Sequence, residues 1–507
     1  MTRSSQGSFH KRTLKEQYTG ILCLPVAASG DRRPTVQTIF LVLLFELAIV
    51  VTPSAKAQLT CSPAPCTTAN VQASNGAAKT TVAGFALAAN PVSTSDLAIA
   101  ANYLAGMSSC FGSGFNPSWT SAFISTNQGS TWSGGCQPPS GSDVGPQFDP
   151  VAIYDSSGNL FSGQLGATTT AEGVFLHELP NGTLTWGDFF PTLSFTDEAT
   201  VNFYNYDFPG LAVDGSNCLY VTAWEVGYKL SNNEPVSAVA VGQSCNAGAN
   251  WTTKRVSGLV AGPQIASYSR VAVASSGTLL ATWIQNNGGN TPKVYAASSI
   301  NGGNTWTAYG NVFNIQQTAE AACPNNNPHV DRALPHTCVR MFYFPQLAST
   351  AGSQFNAVYP IHSGSQIQIN YRSSTNSGAA WSPTVALDVA PADPTATGDQ
   401  FEACISSPSP SSSTLGVAWL DTRNSPKGKP DTLYDAYAMV STDGGSTWSS
   451  AYRLSTQSSS TTVETAPHSE YLGDWTGCAW QNGIFYYVFP STTNGTNQVA
   501  MIAGLYP

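Results

Sequence analysis

Charge is what this chain has least of. Asp, Glu, Lys and Arg make up only 10% of its 507 residues, and 20 Lys and Arg face 29 Asp and Glu. So little charge suits an exported β-rich protein better than a cytoplasmic helical one. Long apolar runs are also scarce. The run Phe40-Leu41-Val42-Leu43-Leu44-Phe45 continues past Glu46 only to Val51, which is short for a membrane span. It follows Arg32 and Arg33 and precedes Ala55-Lys56-Ala57, a small-x-small cleavage signal. These features predict a leader over residues 1–57 with Gln58 as the mature N-terminus; a membrane anchor is the alternative reading. Removing the leader leaves 13 Lys and Arg against 26 Asp and Glu, a net charge near −13. That balance excludes nucleic acid and anionic membrane as natural partners, since both reward basic patches.

The sequence lacks any Cys-x-x-Cys pair or run of His, so no cofactor is expected and a metal site stays open. Eleven Cys are present, and ten remain once Cys23 leaves with the leader. An even count in an exported chain points to disulfides. Nearest-neighbour pairing would join Cys61–Cys66, Cys110–Cys136, Cys218–Cys245, Cys323–Cys338 and Cys404–Cys478, although spacing alone does not decide connectivity.

What the chain has in quantity is a repeat. Ser441-Thr442-Asp443-Gly444-Gly445-Ser446-Thr447-Trp448 sets the pattern Ser-x-Asp-x-Gly-x-x-Trp. Four earlier copies use Asn in place of Asp. Ser125, Asn127, Gly129 and Trp132 form the first, and Ser244, Asn246, Gly248 and Trp251 the second. Ser299, Asn301, Gly303 and Trp306 follow, then Ser374, Asn376, Gly378 and Trp381. A weaker copy has Asn181 and Trp186 but Thr183 where Gly belongs. Each position suits a tight corner. The Asp or Asn side chain bonds backbone N–H groups ahead of it. Gly accepts a positive φ. Trp buries a large apolar surface and can still bond through its indole N–H. The prime role of these residues is therefore structural.

Counting Trp186, the Trp positions lie 54, 65, 55, 75 and 67 residues apart, an interval that suits one four-stranded blade with generous loops. The pattern is the Asp box, and from about Thr81 onward the chain resembles the sialidase-like, BNR-repeat β-propellers. The resemblance implies an all-β propeller of four-stranded antiparallel blades. Strand-like stretches divide into seven blades over residues 81–507, with six as the alternative, because sialidases have six. Blade 5 is expected around 340–344 and blade 7 from 474–480. Residues 58–80 read as a tether, from which 66–80 could supply a strand that closes the ring.

In a propeller the starts of the inner strands meet at one channel mouth, and the box turns face the other way. The inner-strand starts carry Asp149, Asp207, Arg270, Arg340, Asp399 and Asp474, and the second-strand exits add Trp224, Glu225, Trp283, Asp421 and Arg423. Asp207, Asp421 and Asp474 are the catalytic candidates. Arg270, Arg340, Arg423, Trp224, Glu225 and Trp283 are the ligand-binding ones. The structural alternative is that these acids cap turns and that Asp421 simply pairs with Arg423.

The resemblance also implies a chemistry: three Arg for a sugar carboxylate, a Tyr nucleophile activated by Glu, and an Asp acid/base. Tyr434, Tyr471 and Glu470 are the Tyr and Glu candidates. The chain departs from the family in lacking an early Phe-Arg-Ile-Pro; the nearest string is Arg332-Ala333-Leu334-Pro335, mid-chain. Two functions follow. One is an exported sialidase-like glycoside hydrolase, and the other is a non-catalytic propeller that binds glycans or proteins.

Overall fold

The computed structural model describes residues 64–507 apart from 75–80, 106–118, 137–147, 168–171, 184, 188, 194–199, 263–264, 287–291, 316–333, 338, 389–397, 427–430 and 464–470. The expected leader, Glu470, Arg332 and the pairs Cys61–Cys66, Cys110–Cys136 and Cys323–Cys338 lie wholly or partly outside these residues.

The described strands form seven antiparallel sheets. The inner strands are Thr81–Ala89, Phe148–Tyr154, Val201–Val213, Ile265–Val273, Gln346–Thr350, Gln400–Ser406 and Gly477–Gln481. Each contacts the inner strands of the blades before and after it, and the seventh contacts the first. The fold is a seven-bladed β-propeller. Among the described residues the helical content is a single short turn at Ala351–Ser353, and no helix is long and apolar enough to cross a membrane.

Ring closure uses the N-terminal segment. Strands Gly477–Gln481, Ile484–Ser491 and Val499–Tyr506 lack a fourth partner of their own, and Cys66–Thr67 and Val71–Gln72 pair along the outer edge of the last one. A paired edge cannot template association with another chain. Asn70 ties the same segment to blade 6, donating to the Leu454 carbonyl at 2.8 Å and accepting from the Thr456 N–H at 2.6 Å.

Two expected strand positions are corrected. Blade 5 is built on Gln346–Thr350, Gln354–Ser363, Gln366–Ser374 and Val385–Ala386; residues 341–345, with Arg340 just before them, lead into it without strand pairing. Blade 7 starts at Gly477, so Asp474 also sits on a lead-in. Both segments serve packing instead: Met341, Tyr343, Phe344 and Trp475 are buried in the large core cluster.

The five repeats fold into one kind of turn. The Ser hydroxyl donates to the side-chain oxygen of Asn127, Asn246, Asn301, Asn376 or Asp443 at 2.8–2.9 Å. The same hydroxyl accepts the Gly N–H at 2.8–3.0 Å. The oxygen of Asn127, Asn246, Asn301, Asn376 and Asp443 also accepts the N–H four residues on, at 2.8–3.0 Å. The five Gly have φ between 78° and 89°.

The Trp residues divide into two groups. Trp132, Trp306 and Trp381 donate their indole N–H to the Gly carbonyl at 3.0 Å. Trp251 and Trp448 do not, and their indole nitrogens are buried without a hydrogen-bond partner among the described residues. The expected indole bond is therefore corrected at Trp251 and Trp448. Their rings pack instead, Trp251 on the core between blades 2 and 3 and Trp448 on the core between blades 5 and 6. In the weaker copy, Asn181 donates its backbone N–H to Asn159 and its amide to the Ser157 carbonyl. Strand register puts the five turns beside the turns that join first and second strands, as Val213 pairs Leu219 and Leu219 pairs Ser244. They therefore lie opposite the inner-strand starts.

Two disulfides form as nearest-neighbour pairing predicts. Cys218–Cys245 lies within blade 3, and Cys404–Cys478 joins the inner strands of blades 6 and 7. Cys66 is disulfide-bonded as well.

Candidate functional site at one mouth of the channel

The inner strands share an irregularity that decides where their side chains point. Register breaks between Phe148 and Val151, Asp207 and Gly210, Ser267 and Arg270, and Phe401 and Cys404, each time with two residues facing one on the second strand. The first residue of each bulge has a positive φ: Asp149 at 61°, Phe208 at 48°, Tyr268 at 55° and Glu402 at 49°. A bulge re-aims a side chain, and this conformation is strained for anything but Gly. Four blades thus hold a strained residue at the same level of the inner strand.

Acids and aromatics gather at that level. Asp149 is buried, Asp207 is half-buried, and the two are hydrogen-bonded to one another. The Phe208 N–H donates to Asp207 Oδ1 at 2.9 Å, and the Asp149 N–H donates to Asn102 Oδ1 at 3.0 Å. Burial raises both carboxyls, and Asp207 together with Asp474 pushes Asp149 well above the usual range. The Asp149–Asp207 pair therefore retains a proton under conditions where ordinary carboxyls have lost theirs.

Asp474 accepts from the Tyr471 hydroxyl at 3.3 Å and lies 3.6 Å from Arg340 Nε. Burial lifts its carboxyl to about 6 against the pull of Arg340. Arg340 itself lies over the rings of Phe342, at 4.5 Å, and Tyr471, at 5.6 Å. Burial pulls the guanidinium down, but Asp474 and Tyr471 more than offset it, and Arg340 stays charged. Glu402 completes the group. It is 9% exposed, and among the described residues neither of its carboxyl oxygens has a hydrogen-bond partner. Burial first, and then Asp474, push it well above the usual carboxylate range. Phe208, Tyr268, Phe342, Phe344 and Trp475 surround this cluster with ring contacts of 4.5–6.0 Å.

Below it, Arg270 lies across the waist of the channel. Its guanidinium sits between Phe344 and Trp475, at 4.6 and 5.1 Å, and donates to Gln346 Oε1, the Ser269 carbonyl and the Pro209 carbonyl. Burial lowers it to about 10. Arg270 and Trp475 line a waist cavity of about 210 Å³, and one of about 860 Å³ lies at the opposite mouth, among Leu87, Tyr154, Val213, Ser276 and Trp480. The larger volume is therefore on the side away from the carboxylate cluster.

The other residues singled out in the sequence go elsewhere. Arg423 bonds Asp421 and Asp388, and Asp421 also accepts from Trp419 Nε1 at 3.0 Å. Glu225 is fully buried against Arg255 at 2.9 Å and Tyr206 at 3.2 Å. Trp283 is 2% exposed and stacks on Tyr295 between blades. Trp224 packs on Tyr268 at 5.8 Å, at the edge of the aromatic wall. Asp399 accepts from His336. Of the three chosen Arg, then, Arg340 alone joins the carboxylate group, with Arg270 beneath it and Arg423 in a separate ion pair. Glu402 and Tyr268 were overlooked. Aligning Phe148-Asp149-Pro150, Asp207-Phe208-Pro209, Ser267-Tyr268-Ser269 and Phe401-Glu402-Ala403 with one another would have exposed them as equivalents of Asp149.

No family model and no curated protein matches the chain. Among solved structures it is similar to a protein of unknown function from Dyadobacter fermentans, at 14% identity over 74% of this chain and 99% of that one, with a TM-score of 0.43. It is also similar to the Hadza microbial sialidase Hz136, at 11% identity, 86% and 94% coverage and a TM-score of 0.44. The NanB sialidase of Streptococcus pneumoniae matches at 9% identity, 86% and 97% coverage and a TM-score of 0.44. The fold assignment rests on the strand pairing of the chain itself.

Proposed function

We propose that this chain is an exported propeller that hydrolyses glycosidic bonds at the mouth holding Asp149, Asp207, Glu402 and Asp474. The observation that carries the reading is the contrast between neighbouring carboxyls. The Asp149–Asp207 pair keeps a proton, whereas Asp474, beside Arg340, releases its own near pH 6. One site thus offers a general acid for a leaving oxygen and a carboxylate base for water, the division of labour that glycoside hydrolysis needs. Tyr268 and Trp224, both partly exposed, supply apolar faces for a sugar ring. Export is supported by the leader pattern and by disulfides at Cys218–Cys245 and Cys404–Cys478.

The second reading is a propeller that binds a glycan or a protein without turning it over. It is favoured by the dispersal of the Arg residues, since Arg423 is held by Asp388 and Asp421. Purified mature chain, offered a panel of aryl glycosides that includes a sialoside, separates the two. Activity should rise through about pH 6 and fall at higher pH, and Asp149→Asn or Asp474→Asn should lower kcat by about 100-fold or more. A chain that binds a glycan yet releases no aryl group at any pH would be a binding module.

A further inference from the structure

A second cluster of ligating groups lies on the same side of the propeller, at the edge of blade 6. His336 Nδ1 is 3.1 Å from Asp399 Oδ2. One ligand atom from each of His336, Asp399 and Asp431 can be chosen so that all lie within 4.8 Å of one another. Both carboxylates are buried, Asp399 at 0% and Asp431 at 4% exposure. Their orientation is set by neighbours. The Ile367 N–H donates to Asp399 Oδ1 at 2.9 Å. The Thr422 hydroxyl accepts the Asp399 N–H at 2.8 Å, so its single proton is left for Asp431 Oδ2 at 2.5 Å. Such outer bonds are what hold metal ligands in place.

Two further observations point to a missing positive charge. Arg423 is held by Asp388 and Asp421, so among the described residues only imidazoles are placed to balance Asp399 and Asp431. Buried charges without compensation are costly. In addition, His362 is nine-tenths buried, its side chain makes no hydrogen bond to another described residue, and it lies close enough to His336 for their charges to interact.

We propose that His336, Asp399 and Asp431, with His362 beside them, form a divalent-cation site. One imidazole nitrogen and two carboxylate oxygens within reach of one another suit a borderline ion such as Zn²⁺ better than Ca²⁺ or Mg²⁺, which favour all-oxygen shells. The ion would clamp the turn at residues 334–337, where the Leu334 N–H donates to the Val339 carbonyl and the Asp431 N–H donates to the His336 carbonyl. That turn leads directly into Arg340, so the clamp would hold in place the segment that reaches the carboxylate cluster. The site itself does not depend on the reaction proposed above.

The test is to dialyse the full mature chain against a chelator and titrate it by calorimetry with ZnCl₂, and separately with MnCl₂ and CaCl₂, counting bound metal by elemental analysis. One Zn²⁺ per chain is expected, with a Tm that climbs with free Zn²⁺. His336→Gln, at a half-buried position, should abolish uptake while the metal-free variant melts like the metal-free parent. Thr422→Val should weaken binding by about 10–100-fold, and Glu234→Gln, on a distant surface, should leave it unchanged. No uptake, equal uptake by parent and His336→Gln, or preference for Ca²⁺ would each overturn the assignment.

Discussion

The residues of the carboxylate cluster and of the inner-strand bulges are held in conformations and surroundings that oppose folding. Asp149, Phe208, Tyr268 and Glu402 have positive φ, at a cost of order 1–3 kcal/mol each, and Glu402 is buried with neither carboxyl oxygen partnered among the described residues. Such arrangements persist only where the surrounding sheet over-determines them. They also leave a mark in the pH dependence of stability. The pKa of Asp474 is raised from 3.8 to about 6 by burial, against the opposing pull of Arg340. A folded pKa above the unfolded value means that folding takes up protons between the two. The associated stability is full below about pH 4 and is lost as pH rises to 6. Asp149 and Glu402, also raised, add in the same direction. Urea midpoints at pH 4 and pH 7 should therefore differ less in Asp474→Asn than in the parent, by on the order of 1–3 kcal/mol. An unchanged pH slope in the variant would show that Asp474 titrates normally.

At the level of elements, the repeat turns and the inner-strand bulges divide the work. The turns are closed locally, by bonds within eight residues, which is why five of them could be read from spacing alone. Asn127, Asn246, Asn301, Asn376 and Asp443 bond only within their own turns in this way. Trp306 shows what the turns contribute to packing. It packs against two core clusters, one that holds Val239, Val241 and Trp283 and one that holds Tyr220 and Leu279, and so joins them. Because it is half-buried, Trp306→Ala should cost about 3 kcal/mol, the low end for emptying a Trp site. Thermal or urea unfolding measures that loss, and ligand affinity of the protein that stays folded should not move, since the turns lie opposite the carboxylate cluster. Lost binding with normal stability would place a site on the turn face instead. The bulges are different. Phe401-Glu402-Ala403 taken singly reads as an ordinary strand, and the extra residue shows in its pairing with the second strand or by comparison with the other blades.

At the scale of the whole molecule, stability depends on closing a ring of seven sheets. Two devices meet at the seam near blade 7: the N-terminal strands at Cys66–Thr67 and Val71–Gln72, and the Cys404–Cys478 bridge between blades 6 and 7. The bridge spans 74 residues, a loop for which chain entropy gives roughly 4 kcal/mol. Replacing both Cys by Ser should lower the unfolding free energy by up to about that amount, while the Cys218–Cys245 pair, inside blade 3, stays intact. Alkylation of the folded protein without reduction, followed by mass spectrometry, checks the pairing directly, and free thiols at 404 and 478 in the parent would refute it.

The sequence by itself determined the repeat architecture of four-stranded blades and the structural role of the repeats, and it pointed to the Cys218–Cys245 and Cys404–Cys478 pairings and to ring closure by the N-terminal tether without deciding them. These depend on short-range chemistry or on periodicity, and both survive in one dimension. It also brought forward Asp149, Asp207, Arg340 and Asp474, because inner-strand starts must converge on the axis in any propeller. Tertiary structure alone decided that Trp251 and Trp448 pack without the indole bond of the other three boxes, because neighbouring blades set how each ring is seated. It alone decided that Arg270 lies across the waist, that Arg423 serves Asp388 and Asp421, and that Glu225 is sealed against Arg255. It also brought Glu402 to the cluster and His336 to Asp399 across 63 residues of chain. A charged side chain takes its role from whichever opposite charge, proton or bulge it meets, and those partners come from different blades.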